Sequence, residues 1–98
     1  MIDRITTNEE RLNKALECIN NLQESINKLN DTKEDIVKLN KYYGSKNWFK
    51  DKKLYEENKI EKIPAGVLSE DSVWNMYEDL NSLVLELKLI VDSIKEEE

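Results

Sequence analysis

A seven-residue repeat of apolar side chains dominates the first 40 residues of this chain. Two positions of the repeat, three residues apart, hold the apolar side chains: Ile5, Leu12, Ile19 and Ile26 at the first, and Ala15, Leu22, Leu29 and Ile36 at the second. Residues at this spacing lie on one face of an α-helix, and such a face packs lengthwise on another helix. We name these eight residues the heptad stripe.

The heptad stripe and the near absence of helix breakers predict an all-α fold. Two glycines and one proline in 98 residues are typical of long helices and exclude an all-β protein. A chain of this length supplies one modest core, so we expect a single domain, residues 1–98, folded as a helical bundle or hairpin. Helices are expected over about residues 2–43, 45–58 and 69–96.

The ends of the first helix are marked by local signals. It is expected to begin near Ile2, or at Thr7, where Thr7 and Glu10 have the spacing of a capping box. Gly44 is expected to end it. A break near residue 31 is the alternative, because Lys33 and Asn40 occupy two of the repeat positions beyond Leu29.

The third helix is predicted to begin at Ser69. Ser69 is the expected N-cap, Glu70 and Asp71 would lie at the positive end of the helix dipole, and Leu68 would pack on Val73. Its core face is expected to hold Val73, Met76, Tyr77, Leu80, Leu83, Val84, Leu87, Ile90, Val91 and Ile94.

A second apolar face is predicted on the same helix. Trp74, Leu85 and Leu89 share it, because 11 and 15 residues at about 100° each return nearly to the same direction. We expect the connector helix, the short second helix predicted over about residues 45–58, to cover this face. Self-association through Trp74, Leu85 and Leu89 is the alternative.

Charge is distributed unevenly along the chain. Residues 1–40 have 6 basic and 8 acidic side chains, residues 41–62 have 7 and 4, and residues 63–98 have 2 and 9. Without a continuous basic surface, general nucleic-acid binding is disfavoured. The start of the chain has no apolar run typical of a signal peptide, and no stretch is long enough to span a membrane, so we expect a cytoplasmic protein.

Two motifs resemble those of a known family. They consist of Tyr42, Tyr43, Gly44, Ser45, Trp48 and Asp51, then Pro64, Gly66, Val67, Leu68, Ser69, Glu70 and Asp71. The pattern YYGS-x-x-W-x-x-D followed by P and GVLSED resembles a small bacterial family, domain of unknown function 4298, over roughly residues 2–90. The resemblance implies an all-helical fold and no known activity. Each motif also has a structural interpretation as a helix end, a turn and a new cap.

The residues of catalytic chemistry are scarce. The chain has no histidine, and its single cysteine, Cys18, lies beside the heptad stripe, where a partly buried hydrophobic role is expected. Asp71, Glu78 and Asp92 share one helix face with Leu85, which favours a solvated surface over a cation site. We therefore expect no enzyme activity, no metal and no cofactor; a carboxylate, metal-dependent nucleotide hydrolase ranks last.

The leading functional hypothesis is an interaction protein. It would act as a scaffold, adaptor or self-associating module through protein contacts, with a second copy among the candidate partners. The alternative is a small acidic inhibitor of the phage type that binds a basic groove of a nucleic-acid enzyme, suggested by the acidic last third of the chain.

Overall fold

The computed structural model describes residues 1–97, and within that range the chain is helical and has no strand. Three α-helices and one 3₁₀ turn are present: α1, Ile2–Tyr42; α2, Lys46–Glu56; the 3₁₀ turn, Gly66–Leu68; and α3, Ser72–Glu96. The predicted all-α class and the order of long, short and C-terminal helices are confirmed.

The first helix is continuous. It begins at Ile2, so the capping box at Thr7 does not form. The break considered near residue 31 is also absent. The Thr32 hydroxyl does not cap a new helix there; it donates to the carbonyl of Lys28, 2.8 Å away, in the preceding turn of α1. No glycine or proline interrupts this stretch of the sequence.

Gly44 and Ser45 separate α1 from α2 as predicted. Gly44 has φ of +78°, the left-handed backbone that ends many helices. The amide of Ser45 donates to the carbonyl of Tyr42, and its hydroxyl accepts from the amide of Trp48, 3.2 Å away. One short turn therefore closes α1 and caps α2.

The third helix begins three residues later than the predicted cap. Residues 66–68 form the 3₁₀ turn, and Ser69 ends it with an extended backbone. The Ser69 hydroxyl accepts from the amide of Asp71 at 3.2 Å, so it stabilises this turn. Asp71 takes the N-cap position without a side-chain hydrogen bond, and α3 starts at Ser72.

The chain divides into two units, Met1–Lys38 and Leu39–Glu98, of which the second is described as far as Glu97. The first unit is one helical segment. All of its heptad-stripe side chains are exposed except Ile36, which is half-buried. A single helix has no second element on which to bury such a face.

The second unit has a small core formed by Trp48 of α2 and Val73 of α3, each only 4% exposed. The 3₁₀ turn contacts both helices. The predicted core face of α3 is half-buried at Met76, Tyr77 and Leu80. Beyond Leu80 it is exposed, so that prediction is correct only for the first turns of the helix.

We expect Gly44→Ala to lower the free energy of unfolding by about 1–2 kcal/mol, because a Cβ disfavours the left-handed backbone. Gly66→Ala is the matched control. Gly66 lacks a positive φ and an added Cβ would meet nothing within 4 Å, so its stability should change little. Urea denaturation followed by circular dichroism measures both, and equal effects would contradict this account of Gly44.

Candidate functional site

The two sequence motifs meet in the second unit. We use the name motif cluster for the side chains of Tyr42, Tyr43, Ser45, Trp48 and Asp51 together with the segment 64–71. The end of α1, the first turns of α2 and the segment before α3 supply its members. Side chains of the first motif therefore contact the backbone of the second, although the two motifs are far apart in the sequence.

Trp48 is the centre of the motif cluster. Its indole Nε1 donates to the carbonyl of Val67, 2.8 Å away. Its ring meets the rings of Tyr43 and Phe49 edge-on, with centroids 5.2 and 4.9 Å apart. The favourable edge geometry and the satisfied N–H explain how an indole can be buried in so small a core.

The GVLSED segment is held mainly through its backbone. The Tyr43 hydroxyl donates to the carbonyl of Glu70, and the Ser72 hydroxyl donates to the carbonyl of Gly66, 2.7 Å away. With the Trp48 bond to Val67, three side chains therefore bind three carbonyls of this segment. The arrangement fixes the backbone path into α3.

Tyr42 and Asp51 form a polar pair between α1 and α2. The Tyr42 hydroxyl donates to Oδ2 of Asp51, 2.7 Å away. This hydrogen bond, partial burial and the negative charge of Asp51 raise the pKa of Tyr42 to about 12. Tyr42 therefore remains a neutral donor at physiological pH and is a poor general base.

A small open cleft of about 180 Å³ lies beside this pair. Its walls include the apolar side chains of Ile60, Ile63 and Leu68, and the Tyr55 hydroxyl donates to the carbonyl of Ile63, 3.0 Å away. The volume is below the roughly 300–1,000 Å³ of typical ligand pockets. The cleft is thus a packing feature of the segment more than a receptor for a small molecule.

Tyr55 and Ser72 are members of this arrangement that the sequence motifs did not indicate. Tyr55 lies four residues after Asp51 on α2, so helical spacing alone places both on one face. Ser72 had no such signal, because its bond to Gly66 depends on the 3₁₀ turn.

Basic side chains near the motif cluster are engaged in local contacts. Lys52 pairs with Glu56 at 2.7 Å and lies 3.9 Å from Glu70. The hydrogen bond to Glu56 is the main cause that raises the pKa of Lys52. Lys62 donates to the carbonyl of Tyr55, 2.6 Å away.

Within residues 1–97 no group of three histidine, cysteine, aspartate or glutamate side chains is placed to hold a metal ion, so Asp71, Glu78 and Asp92 are not brought together. Cys18 is exposed in the structure, contrary to the expected partial burial. In the same range, no helix has the length and apolar character needed to cross a membrane.

The second apolar face of α3 is open. Trp74, Leu85 and Leu89 are 62%, 58% and 60% exposed. The expectation that the connector helix covers them is therefore wrong. Self-association through this face stays a prediction.

The family assignment rests on nearly the whole chain. The family model described as Domain of unknown function (DUF4298) matches residues 5–89. The chain belongs to this family. No curated protein and no solved structure matches it. In this DUF4298 chain the matched range contains both the heptad stripe and the motif cluster.

The Tyr42 pair predicts a pH dependence of stability. Because folding raises the Tyr42 pKa from its ordinary value near 10 to about 12, the pair stabilises fully below pH 10. That contribution is lost as the pH rises from about 10 through 12. At pH 8, Tyr42→Phe should lower the free energy of unfolding by about 1–2 kcal/mol.

Urea denaturation of native protein and Tyr42→Phe at pH 8 and pH 11.5 measures this loss, which should shrink at the higher pH. Asp51→Asn serves as the control from the other side of the hydrogen bond and should remove most of the pH dependence. If the loss in the free energy of unfolding caused by Tyr42→Phe were the same at both pH values, that result would contradict the pairing of Tyr42 with Asp51.

Trp48 and Trp74 provide a matched pair of tryptophans. Trp48→Phe removes the donor to Val67 and leaves space in the core, so we expect a loss of about 2–3 kcal/mol in the free energy of unfolding. Trp74→Phe should stay within about 0.5 kcal/mol, because that side chain is exposed. Denaturant titration followed by circular dichroism compares them, and a larger loss for Trp74 would refute the assigned core.

Proposed function

We propose that this protein acts in the cytoplasm through protein contacts, without catalysis, and that the heptad stripe of α1 is its binding surface for another α-helix. The observation that carries the proposal is the exposure of this stripe. Seven of its eight side chains, from Ile5 to Leu29, are exposed along the first unit. Helices with this apolar spacing bury it against a second helix.

The composition of α1 supports the same conclusion. Six asparagines, which are weak helix formers, lie within the first unit: Asn8, Asn13, Asn20, Asn21, Asn27 and Asn30. All ion pairs among residues 1–97 join residues of the segment 52–70, so none of them stabilises α1. Most helical stability in proteins comes from packing of an apolar face, and α1 needs such packing.

The lengths of the helices also favour an external partner. α1 has 41 residues, whereas α3 has 25 and α2 has 11. Among residues 1–97, no other helix matches α1 in length. A partner helix of comparable length can cover the stripe completely.

The acidic-inhibitor alternative locates binding elsewhere. Its charge lies in residues 63–98, which have 9 acidic and 2 basic side chains, while the proposed surface on α1 is apolar. Binding by charge mimicry weakens steeply with added salt, and binding through the heptad stripe weakens little. Salt therefore separates the two functions for any partner that is found.

Photocrosslinking in living cells tests the proposed surface. A benzophenone amino acid placed at Leu22, on the stripe, is expected to give a discrete crosslinked adduct in the native host. The same group at Asn20, two residues away and off the stripe, is the matched control and should give none. No adduct at Leu22, or equal adducts at both positions, would refute the proposal.

A further inference from the structure

We infer that the helix bound by the heptad stripe is α1 of a second copy, arranged parallel and in register. This inference rests on the proposed function and names its partner. In coiled-coil notation the first stripe position is a and the second is d. The choice of residues at these two positions decides between possible partners.

The residue types at a and d favour a parallel pair. Three of the four apolar residues at position a are β-branched, and two of the four at position d are leucine. Position a holds Ile5, Leu12, Ile19 and Ile26, and position d holds Ala15, Leu22, Leu29 and Ile36. Isoleucine at a with leucine at d favours two parallel strands, because each side chain then fits the packing angle of its layer. From Ile5 to Ile36 the stripe spans about four and a half heptads, above the three to four that mark a coiled coil.

A charge pair across the dimer supports the same orientation. Arg4 stands at position g and Glu9 at the following position e. In a parallel, in-register pair, g of one helix lies beside the next e of the other, so Arg4 faces Glu9 of the second copy twice. Five residues apart, the two are poorly placed to pair within one helix, and neither joins an ion pair among residues 1–97.

The two asparagines within the repeat favour this alignment too. Asn8 occupies a d position and Lys33 and Asn40 occupy a positions. A parallel, in-register pair places each of them opposite its own copy. The asparagine amides can then bond to each other, whereas the two Lys33 ammonium groups repel and extend toward solvent. An antiparallel overlap of residues 5–29 would instead bury the polar side chain of Asn8, which bonds to Arg4 and Arg11 of its own helix, against the apolar Ile26.

Disulfide trapping of the full-length chain tests the orientation. Cys18→Ser removes the native thiol, and Leu22→Cys or Leu29→Cys then places one thiol at a d position. In the parallel, in-register dimer each new thiol meets its own copy, so both variants should crosslink almost completely in oxidised glutathione. Asn20→Cys, off the stripe, is the control and should remain largely uncrosslinked.

Charge reversal provides a second readout that does not disturb the core. Arg4→Glu should weaken dimerisation about tenfold at low salt, because it replaces two attractive contacts by two repulsive ones. Arg4→Glu combined with Glu9→Arg should restore it. Sedimentation equilibrium measures the dissociation constants, and failure of the double variant to recover affinity would overturn the parallel alignment.

The outcomes separate this inference from the proposed function. A native protein that light scattering shows to be a monomer at high micromolar concentration overturns the second copy as partner. An adduct of Leu22 with a different protein in cells would still uphold the proposed surface. A dimer in which only one of the two d-position cysteines crosslinks, or neither, overturns the parallel, in-register arrangement alone.

Discussion

The packing of the second unit depends on the burial of the Trp48 indole. A core of two buried side chains, Trp48 and Val73, leaves little room for redundancy. The indole packs against two other aromatic rings and binds the carbonyl of Val67, which ties the segment before α3 to α2. The start of α3 is in turn fixed by this segment, through the bond from Ser72 to Gly66.

The two units solve the same physical problem differently. In the second unit, apolar side chains from separate elements cover one another, and hydroxyl and indole donors bind carbonyls of the segment before α3. In Met1–Lys38, one helix presents a regular apolar stripe and has no second element. The apolar stripe of the first unit is therefore left exposed except at Ile36, whereas the second unit covers part of its apolar surface itself.

Much of this organisation could be predicted from the sequence because its signals are local. The helical conformation of the heptad repeat, the glycine stop at Gly44 and the start of α2 after Ser45 each depend on signals within a few residues, and all three appear as predicted. The predicted start of α3 at Ser69 is wrong, because Ser69, Glu70 and Asp71 have the composition of a helix cap but form no side-chain cap. The 3₁₀ turn before them, stabilised by contacts with α2 and α3, takes precedence over that local preference.

The exposed faces could not be predicted for a related reason. Periodicity shows that side chains share a face of a helix, but it does not show whether another element covers that face. Val73, at the start of the α3 stripe, is buried, and Ile94, near its end, is exposed, although both fit the same pattern. The contacts of the motif cluster likewise join residues 19 and 27 positions apart, beyond the reach of any local rule.

Attachment through carbonyl oxygens has a consequence for how this surface can change. Tyr43 binds the main chain of residue 70 and makes no use of the side chain there, which is a solvent-exposed glutamate. The side chain at residue 70 can therefore be replaced by one of different charge or size, or by a spectroscopic label, while the backbone of the segment keeps its conformation. New recognition chemistry can be installed at that point without rebuilding the fold.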